Sequence, residues 1–451
     1  MASTILQRTL GTPTNRKKFT TSMWLKKCFN GSEKHFFGMG TSGGYLDFRF
    51  ASTGELELYH YNSGYQFRLT TTRKFRDTNA WYHLVFTIDT TLATADDRFK
   101  VYVNGVQETV FTNRTNPSQD YDIPANVSGN TISVGNYGTN TGNSFDGLIS
   151  HLHFSDGYAY DPTPFGETDS TTGEWKIKTN VTGVTYGTNG FWWLKDDIAT
   201  TDHSPNSNTF TVGSGTLTKT EDNPSNIFAT LNPLMAFESS GNITYDYTNG
   251  NTSRRTHDVE RFGGASTLGM TSGKFYAEAK LTQKESPTDC CIGVSNNVSE
   301  EARNNYGIAV SNGGVGYIST GNKKVAGSDT SYGNSYAVGD IIGIAIDLDN
   351  NKLYFSKNGT WQNSGDPTSG STGTGAIGLD SASNNDGAYF FGWGDLSSSS
   401  STTCTVAWNF GNGYIQTTAV SSAGTNASGN GIFEYDVPTG YTALSTKGLN
   451  L

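Results

Sequence analysis

The sequence predicts an all-β protein made of two antiparallel β-sandwich domains in tandem. Three observations carry that expectation. The chain is 451 residues long, more than one hydrophobic core usually supports, so two domains follow. Charged residues make up only 16%, while Ser, Thr, Asn and 54 Gly recur throughout. That composition suits many short strands joined by polar turns and disfavours long helices. Finally, apolar residues alternate with a period of two in many short runs, the signature of half-buried strands.

The clearest run is GDIIGIAIDLDNNKLYFSKNGTW, residues 339–361. Ile342, Ile344, Ile346 and Leu348 line one face, and the period resumes at Leu353 and Phe355. A two-residue loop at Asn350-Asn351 would set Leu348 opposite Leu353 and Ile346 opposite Phe355, with Asp349 and Lys352 flanking the turn as opposite charges. Asn358-Gly359 reads as the next tight turn, and Asp347 and Asp349 read as turn residues rather than as catalytic acids. The same order appears upstream in WYHLVFTIDTTLATADDRFKVYVNGVQ, residues 81–107, where Ile88-Asp89 answers Ile346-Asp347 and Asn104-Gly105 answers Asn358-Gly359. One hairpin design is thus used once in each half.

Around the first hairpin the expected strands are 19–29, 45–50, 55–61, 65–71, 131–134 and 148–154. Around the second they are 273–281, 290–295, 306–310, 315–319, 389–393 and 406–410. Domains are expected at 1–221 and 233–451, with DNPSNIFATLNP at the junction supplying a linker over 222–232. Residues 166–232 are turn-rich with short apolar patches at 190–194 and 210–212. The Ser/Thr/Gly tracts 366–375 and 397–403 read as surface loops.

The net charge of −10 and pI near 5.2 offer no basic footprint for nucleic acid, and Arg16-Lys17-Lys18 is too short to reverse that. No apolar run reaches the ~18 residues a spanning helix needs, and MASTILQRTLGTP has no apolar signal-peptide core, so export by that signal and membrane insertion are not expected. Cys28, Cys290, Cys291 and Cys404 match neither a zinc spacing nor a dense disulfide framework and read as buried reduced thiols. Asn30 and Asn126 head chance Asn-x-Ser/Thr triplets.

For catalysis, Glu55 and Glu57 share a strand face, as a glycan hydrolase's acid pair would. The next position on that face is Tyr59, so the pair reads as the polar side of a strand. Ser299-Glu300-Glu301 lies in a loop-like stretch. His151 and His153 share a face without a third ligand and are expected to point outward, away from Leu152 and Phe154. Asp96, Asp97, Asp146 and Asp156 are candidate calcium ligands at a sandwich rim. No phosphate loop, G-x-S-x-G or activated thiol is present in the sequence, so no catalytic residue is expected and the protein is read as a binder rather than an enzyme. The candidate ligand-binding residues are exposed aromatics with arginines: Tyr59, Tyr61 and Tyr65 about an Asn-Ser-Gly turn, Tyr158 and Tyr160 in DGYAYDP, and Arg254 and Arg255 in the loop NTSRRTHD with Tyr332 and Trp393.

The second half, from about 235 to 415, resembles SPRY domains through GKFYAEAKL, CIGVSNN, YGIAVSNG and the 339–361 hairpin, in that order. The first half resembles concanavalin A-like, laminin G-like jelly rolls through WYHLVFTID, VYVNG and FDGLISHLHFSDGYAYDP. The bridge from FGETDSTTGEWKIKTNVTGVTYGTNGFWWL to DNPSNIFATLNP is similar to connectors in tail-fibre-like or other virion proteins of bacteriophages. This resemblance implies two concanavalin A-like jelly rolls on a phage particle, assembled in the host cytoplasm as a homo-oligomer, a trimer in a fibre. It further implies binding of bacterial surface glycan or another virion protein through sandwich loops, with calcium in some members. A polysaccharide depolymerase and a purely structural spacer or decoration subunit are the alternatives.

Overall fold

In the computed structural model, residues 4–41, 43–137, 142–195, 200–235, 247–256, 260–285, 289–304, 306–396 and 403–450 are described. The chain divides into two compact units, Met1–Lys219 and Thr220–Leu451.

The first unit contains β1 (Ile5–Thr9), β2 (Lys18–Lys27), β3 (Lys34–Thr41), β4 (Gly44–Phe50), β5 (Glu55–Tyr61), β6 (Tyr65–Lys74), β7 (Trp81–Asp89), β8 (Phe99–Val103), β9 (Val106–Gln107), β10 (Phe111–Thr115), β11 (Thr131–Val134), β12 (Gly147–Asp156), β13 (Gly166–Thr168), β14 (Trp175–Ile177), β15 (Phe191–Trp193) and β16 (Thr211–Ser214). One sheet runs β10-β6-β5-β4-β3-β11-β1-β16, the other β15-β12-β2-β7-β8-β9. Their inward faces share one core, in which Phe48 meets Phe86 at 4.5 Å and Phe36 meets Phe86 at 6.2 Å between ring centroids. The period-two pattern therefore buries one face of each sheet, as expected. Asn104-Gly105 forms the tight turn, both residues at positive φ (49° and 80°), with Val103 opposite Val106.

The outward face of the six-stranded sheet is also covered. Residues 158–193 fold back over it, and β15 adds to its edge beside β12. His151 and His153 consequently do not reach solvent: His153 packs against Phe165 and Trp192 at 4.9 and 4.8 Å, and both histidines are buried. The expectation of outward-pointing histidines missed this second layer, because alternation along a strand does not reveal what lies on its polar side.

The second unit contains β17 (Tyr247–Thr248), β18 (Ser253–Arg255), β19 (Phe262–Ala265), β20 (Lys274–Lys284), β21 (Cys290–Ser295), α1 (Val298–Arg303), β22 (Gly314–Ile318), β23 (Asn322–Val325), β24 (Ser328–Ser331), β25 (Ile341–Asp347), β26 (Lys352–Lys357), β27 (Thr360–Trp361), β28 (Ile377–Gly378), β29 (Phe390–Asp395), β30 (Cys404–Asn409), β31 (Tyr414–Ile415), β32 (Thr418–Ala419) and β33 (Thr442–Ala443). One sheet runs β17-β18-β30-β20-β25-β26-β27, with β28 beside β26 and β33 beside β20; the other runs β19-β29-β21-β22-β23-β24. Phe391 against Trp408 (6.1 Å) and Tyr317 against Phe355 (5.7 Å) join them. Both units are thus antiparallel sandwiches.

Several expectations are corrected here. The β25–β26 connection has four residues, 348–351, so Ile346 faces Leu353 and Ile344 faces Phe355. The Asp347 carboxylate accepts from Asn350 N (3.0 Å) and Nδ2 (2.9 Å), which closes the longer turn, and Asn351 takes the left-handed conformation (φ 54°). Asp347 pairs with Lys274 at 3.0 Å, and Asp349 accepts from Gly273 N at 2.8 Å. The core-facing set is unchanged, since a shift of two residues preserves the face. Residues 306–310 form no strand: Ala309 sits at φ 69° and turns the chain so that Ile308 packs in a small side cluster. Glu300 and Glu301 lie on α1 rather than in a loop. Residues 222–232 are no linker, because Phe228, Ala229 and Leu231 are buried in the second unit. In the 366–375 tract, Pro367–Thr372 forms a 3₁₀ segment; the tract at 397–402 lies outside the described residues.

Candidate functional site

The outward face of the eight-stranded sheet carries a row of tyrosines. In β4, Leu46, Phe48 and Phe50 enter the core, so Tyr45, Asp47 and Arg49 face out; in β5, Glu57, Tyr59 and Tyr61 do the same. The ladder places Tyr45 opposite Tyr61 and Tyr61 opposite Tyr65. Three rings from three neighbouring strands therefore line up across the sheet, with centroids 5.7 Å and 5.6 Å apart. Tyr137 extends the row, stacked on Tyr45 at 4.8 Å and 25°. A Cβ at Gly38 would come within 2.4 Å of Tyr137 Cβ, so glycine at that position is what lets Tyr137 lie over β3.

A charged lattice underlies the row. The Glu57 carboxylate receives Arg49 Nε at 2.7 Å and Arg68 Nε at 2.5 Å, and Arg49 also reaches Glu33 at 3.0 Å. These bonds hold Arg49 over the Tyr59 ring (5.0 Å) and Arg68 over the Tyr65 ring (4.8 Å). His35 Nδ1 donates to the Asp47 carboxylate (3.0 and 2.9 Å to its two oxygens), and the ring packs on Tyr137 at 4.7 Å. The rings are thus held by bonded neighbours before any ligand arrives, which limits the ordering cost of binding.

The expected binding residues divide sharply in this geometry. Tyr61 and Tyr65 are 36% and 48% exposed and head the row. Tyr59 is 4% exposed and supports the row from beneath Arg49; burial, then Asp47, drives its hydroxyl well above its ordinary pKa. Tyr158 and Tyr160 pair at 6.4 Å over the other sheet, where Tyr160 N donates to Thr20 Oγ1. Tyr158 is exposed, whereas the Tyr160 hydroxyl accepts from Thr185 N at 2.9 Å.

Arg254, Arg255, Tyr332 and Trp393 do not form a surface patch, contrary to expectation. Arg254 sits on β18, not in a loop, and is 2% exposed. It donates to Phe262 O (2.7 Å) and Glu260 (2.9 Å) and lies over Tyr247 at 5.0 Å. Tyr332 and Trp393 are core residues of the second sandwich. Arg255 remains half-buried near Glu285. Arginine can enter a core when its donors are matched, and sequence position alone does not reveal the match.

Nor do the four aspartates converge. Asp96 pairs with Arg114 at 3.0 Å and Asp97 with Lys100 at 2.9 Å. Asp156 is buried and receives Thr14 N, Asn126 Nδ2 and Asn189 N. Burial pushes Asp146 up to about 6. Among the described residues no group of three His, Cys, Asp or Glu side chains is placed to hold a metal.

Tyr45, Tyr137, Arg49 and Arg68 are the residues that sequence reading passed over. GYLDFRF carries a signal for the first, since Tyr45 alternates with core positions and shares a face with Asp47 and Arg49. Tyr137 has none: it follows Gly135 (φ 87°) outside any strand.

Residues 6–160 match the model of the concanavalin A-like lectin/glucanases superfamily, and residues 274–373 that of the SPRY domain. The chain therefore contains a concanavalin A-like, laminin G-like domain and a SPRY domain. No curated protein matches it. Among solved structures, a putative carbohydrate binding protein from Bacteroides ovatus is 16% identical, with TM-score 0.31, over 48% of this chain and 61% of that one. Domain 4 of an extracellular arabinanase from Geobacillus stearothermophilus, in complex with arabinotriose, is 19% identical, TM-score 0.25, over 33% and 65%. The SPRY domain of human HERC1 is 17% identical, TM-score 0.22, over 35% and 82%. The chain thus spans less than two thirds of the Bacteroides and Geobacillus chains.

Proposed function

We propose that this protein is a non-catalytic adhesion component of a bacteriophage particle, which takes up bacterial surface glycan on the tyrosine row of its first sandwich. The observation that carries the binding reading is the register-matched row Tyr45, Tyr61 and Tyr65, extended by Tyr137 stacked on Tyr45. Aromatic faces stack on the C–H faces of sugar rings, and a row of them suits a linear chain laid across the strands. The Arg49–Glu57–Arg68 lattice supplies polar groups at the edge of the same surface. A sheet face thus replaces the inter-strand loops first expected to carry recognition. The similarity of the bridge segment to connectors of tail-fibre-like proteins supports placing it on a virion, in company with other virion proteins and in several copies.

Binding is favoured over cleavage because Glu57 is spoken for by two arginines and Glu55 by Lys74 at 3.2 Å. Titration of host surface polysaccharide tests the reading. Binding is expected for the intact chain, and Tyr61→Ala and Tyr65→Ala should each remove about 1 kcal/mol, roughly fivefold in Kd, at unchanged melting temperature. Binding by both variants as tight as that of the intact chain would overturn it. New reducing ends in the same mixtures would replace binding with depolymerisation.

A further inference from the structure

Adjacent cysteines in β21 are sent to opposite sides of their sheet. Cys291 faces a small side cluster with Ile308 and Ala309, whereas Cys290 enters the core of the second sandwich together with Cys404 of β30. β21 and β30 belong to different sheets, so Cys290 and Cys404 enter that core from its two sides. The corner they occupy is tight. Cys404 stands in register opposite Lys284 at the end of β20, and only residues 285–289 separate Lys284 from Cys290. Lys284 Nζ reaches Asp289 (3.2 Å) and Ser319 Oγ (3.1 Å), and Cys290 N donates to the same Ser319 Oγ (3.2 Å), bracing the corner. Burial, then the neighbouring Cys404 thiol, holds the Cys290 thiol above its ordinary pKa, and both thiols are fully buried and unlinked.

We propose that Cys290 and Cys404 are a latent disulfide pair, which an oxidising small-molecule disulfide closes into a staple between the two sheets of the second sandwich. The chemistry balances with glutathione disulfide as oxidant. A thiolate of the pair attacks one sulfur of glutathione disulfide and expels one glutathione thiolate. The second cysteine then attacks its partner's sulfur in the mixed disulfide and expels the other. Two thiols lose two protons and two electrons, and two glutathione molecules leave reduced. Burial raises both steps' barrier in the native state, because it holds the Cys290 thiol well above its ordinary pKa and shuts out the oxidant. Closure therefore belongs to the folding chain, and the folded reduced protein resists it.

The test refolds the reduced full-length chain from denaturant with and without glutathione disulfide, alkylates free thiols under denaturing conditions, and maps the peptides. Oxidative refolding should yield a Cys290–Cys404 linked peptide, lighter by two hydrogens, with Cys28 and Cys291 alkylated. The folded reduced protein held in the same buffer should keep every thiol alkylatable. The oxidised chain should melt on the order of 10 °C higher than the reduced one, since a cross-link closing a long loop restricts the unfolded state, and Cys404→Ala should abolish that difference. The proposal falls if oxidative refolding gives native β-structure with Cys290 and Cys404 both alkylated, if the linkage involves Cys28 or Cys291, or if the linked chain fails to regain the sandwich. The peptide map needs no variant, so a Cys404→Ala chain that does not fold leaves the test decisive.

Discussion

Trp175 donates its indole N–H to Nδ1 of His83 across 2.9 Å, and the two rings stack at 5.9 Å and 19°. Indole nitrogen is only a donor, so Nδ1 must be the bare nitrogen and Nε2 carries the proton that faces Ser22 Oγ at 2.9 Å. On its other side His83 stacks on Trp24 at 4.8 Å. One short hairpin, β13–β14, thus seals the polar face of the six-stranded sheet by inserting a single side chain. The close approach is possible because Gly105 and Gly166 lack a Cβ, which would sit 2.5 Å from the Trp175 ring in each case. Trp175→Phe should leave His83 Nδ1 buried without a donor and cost about 1–3 kcal/mol, read as a lower urea midpoint at unchanged slope.

The two units should respond to acid in opposite directions. Burial lowers His60 to about 4 and His83 to about 3, and drives His153 well below its usual value. A folded-state pKa below the unfolded one gives stability that is present above about 6.5 and lost as pH falls. In the second unit, burial raises Glu278 and Glu301 to about 7. Their contribution is complete below the ordinary carboxylate range and lost as pH rises through about 7. Urea melts at about pH 5 and about pH 7.5, read by hydrogen-exchange pulses at one fixed labelling pH, should show the first unit weaker and the second stronger at the acid end. Parallel shifts would contradict this.

Glu278 is also the clasp for the C-terminal segment. Its carboxylate accepts from Glu434 N (2.9 Å), Tyr435 N (2.8 Å), Asn409 Nδ2 (3.2 Å) and Tyr276 Oη (3.2 Å). Glu278→Ala should strand those donors and cost about 3 kcal/mol or more, with exchange protection lost first around residues 431–443. Glu278→Gln should keep part of the clasp and flatten this residue's share of the pH dependence.

Arg254 offers a matching test of buried charge. Arg254→Ala removes the buried guanidinium with its bonds to Glu260 (2.9 Å) and Phe262 O (2.7 Å) and its packing over Tyr247. A loss of about 3–5 kcal/mol is expected in denaturant unfolding. A surface role in binding would instead leave stability near wild type.

Tyr137 separates surface from scaffold in the first unit. Tyr137→Ala removes one ring of the row and should weaken glycan binding at small cost in stability. Gly38→Ala should weaken both, by displacing the same ring and pressing on Leu46 O at 2.9 Å.

What the chain determines locally was legible in the sequence. Alternation placed β5, β11 and β21 at their observed bounds, and Asn104-Gly105 and Asn358-Gly359 marked turns whose positive φ few other residue pairs adopt. The inward face of the 341–355 hairpin was equally legible, because each residue's side of a strand follows from covalent geometry. What lies on the other side does not. Burial of His153 beneath Trp192 was decided by a later segment folding over a second face, and burial of Tyr59 beneath Arg49 and of Arg254 against Glu260 by side chains that only the folded register brings together. The tyrosine row is of the same kind: each strand supplies one ring at an unremarkable polar position, and only the register between strands aligns them. Alternation is a property of one strand, whereas a surface is a property of several, and that is why the fold and two of the rings, Tyr61 and Tyr65, could be read from the sequence and the alignment of the row could not.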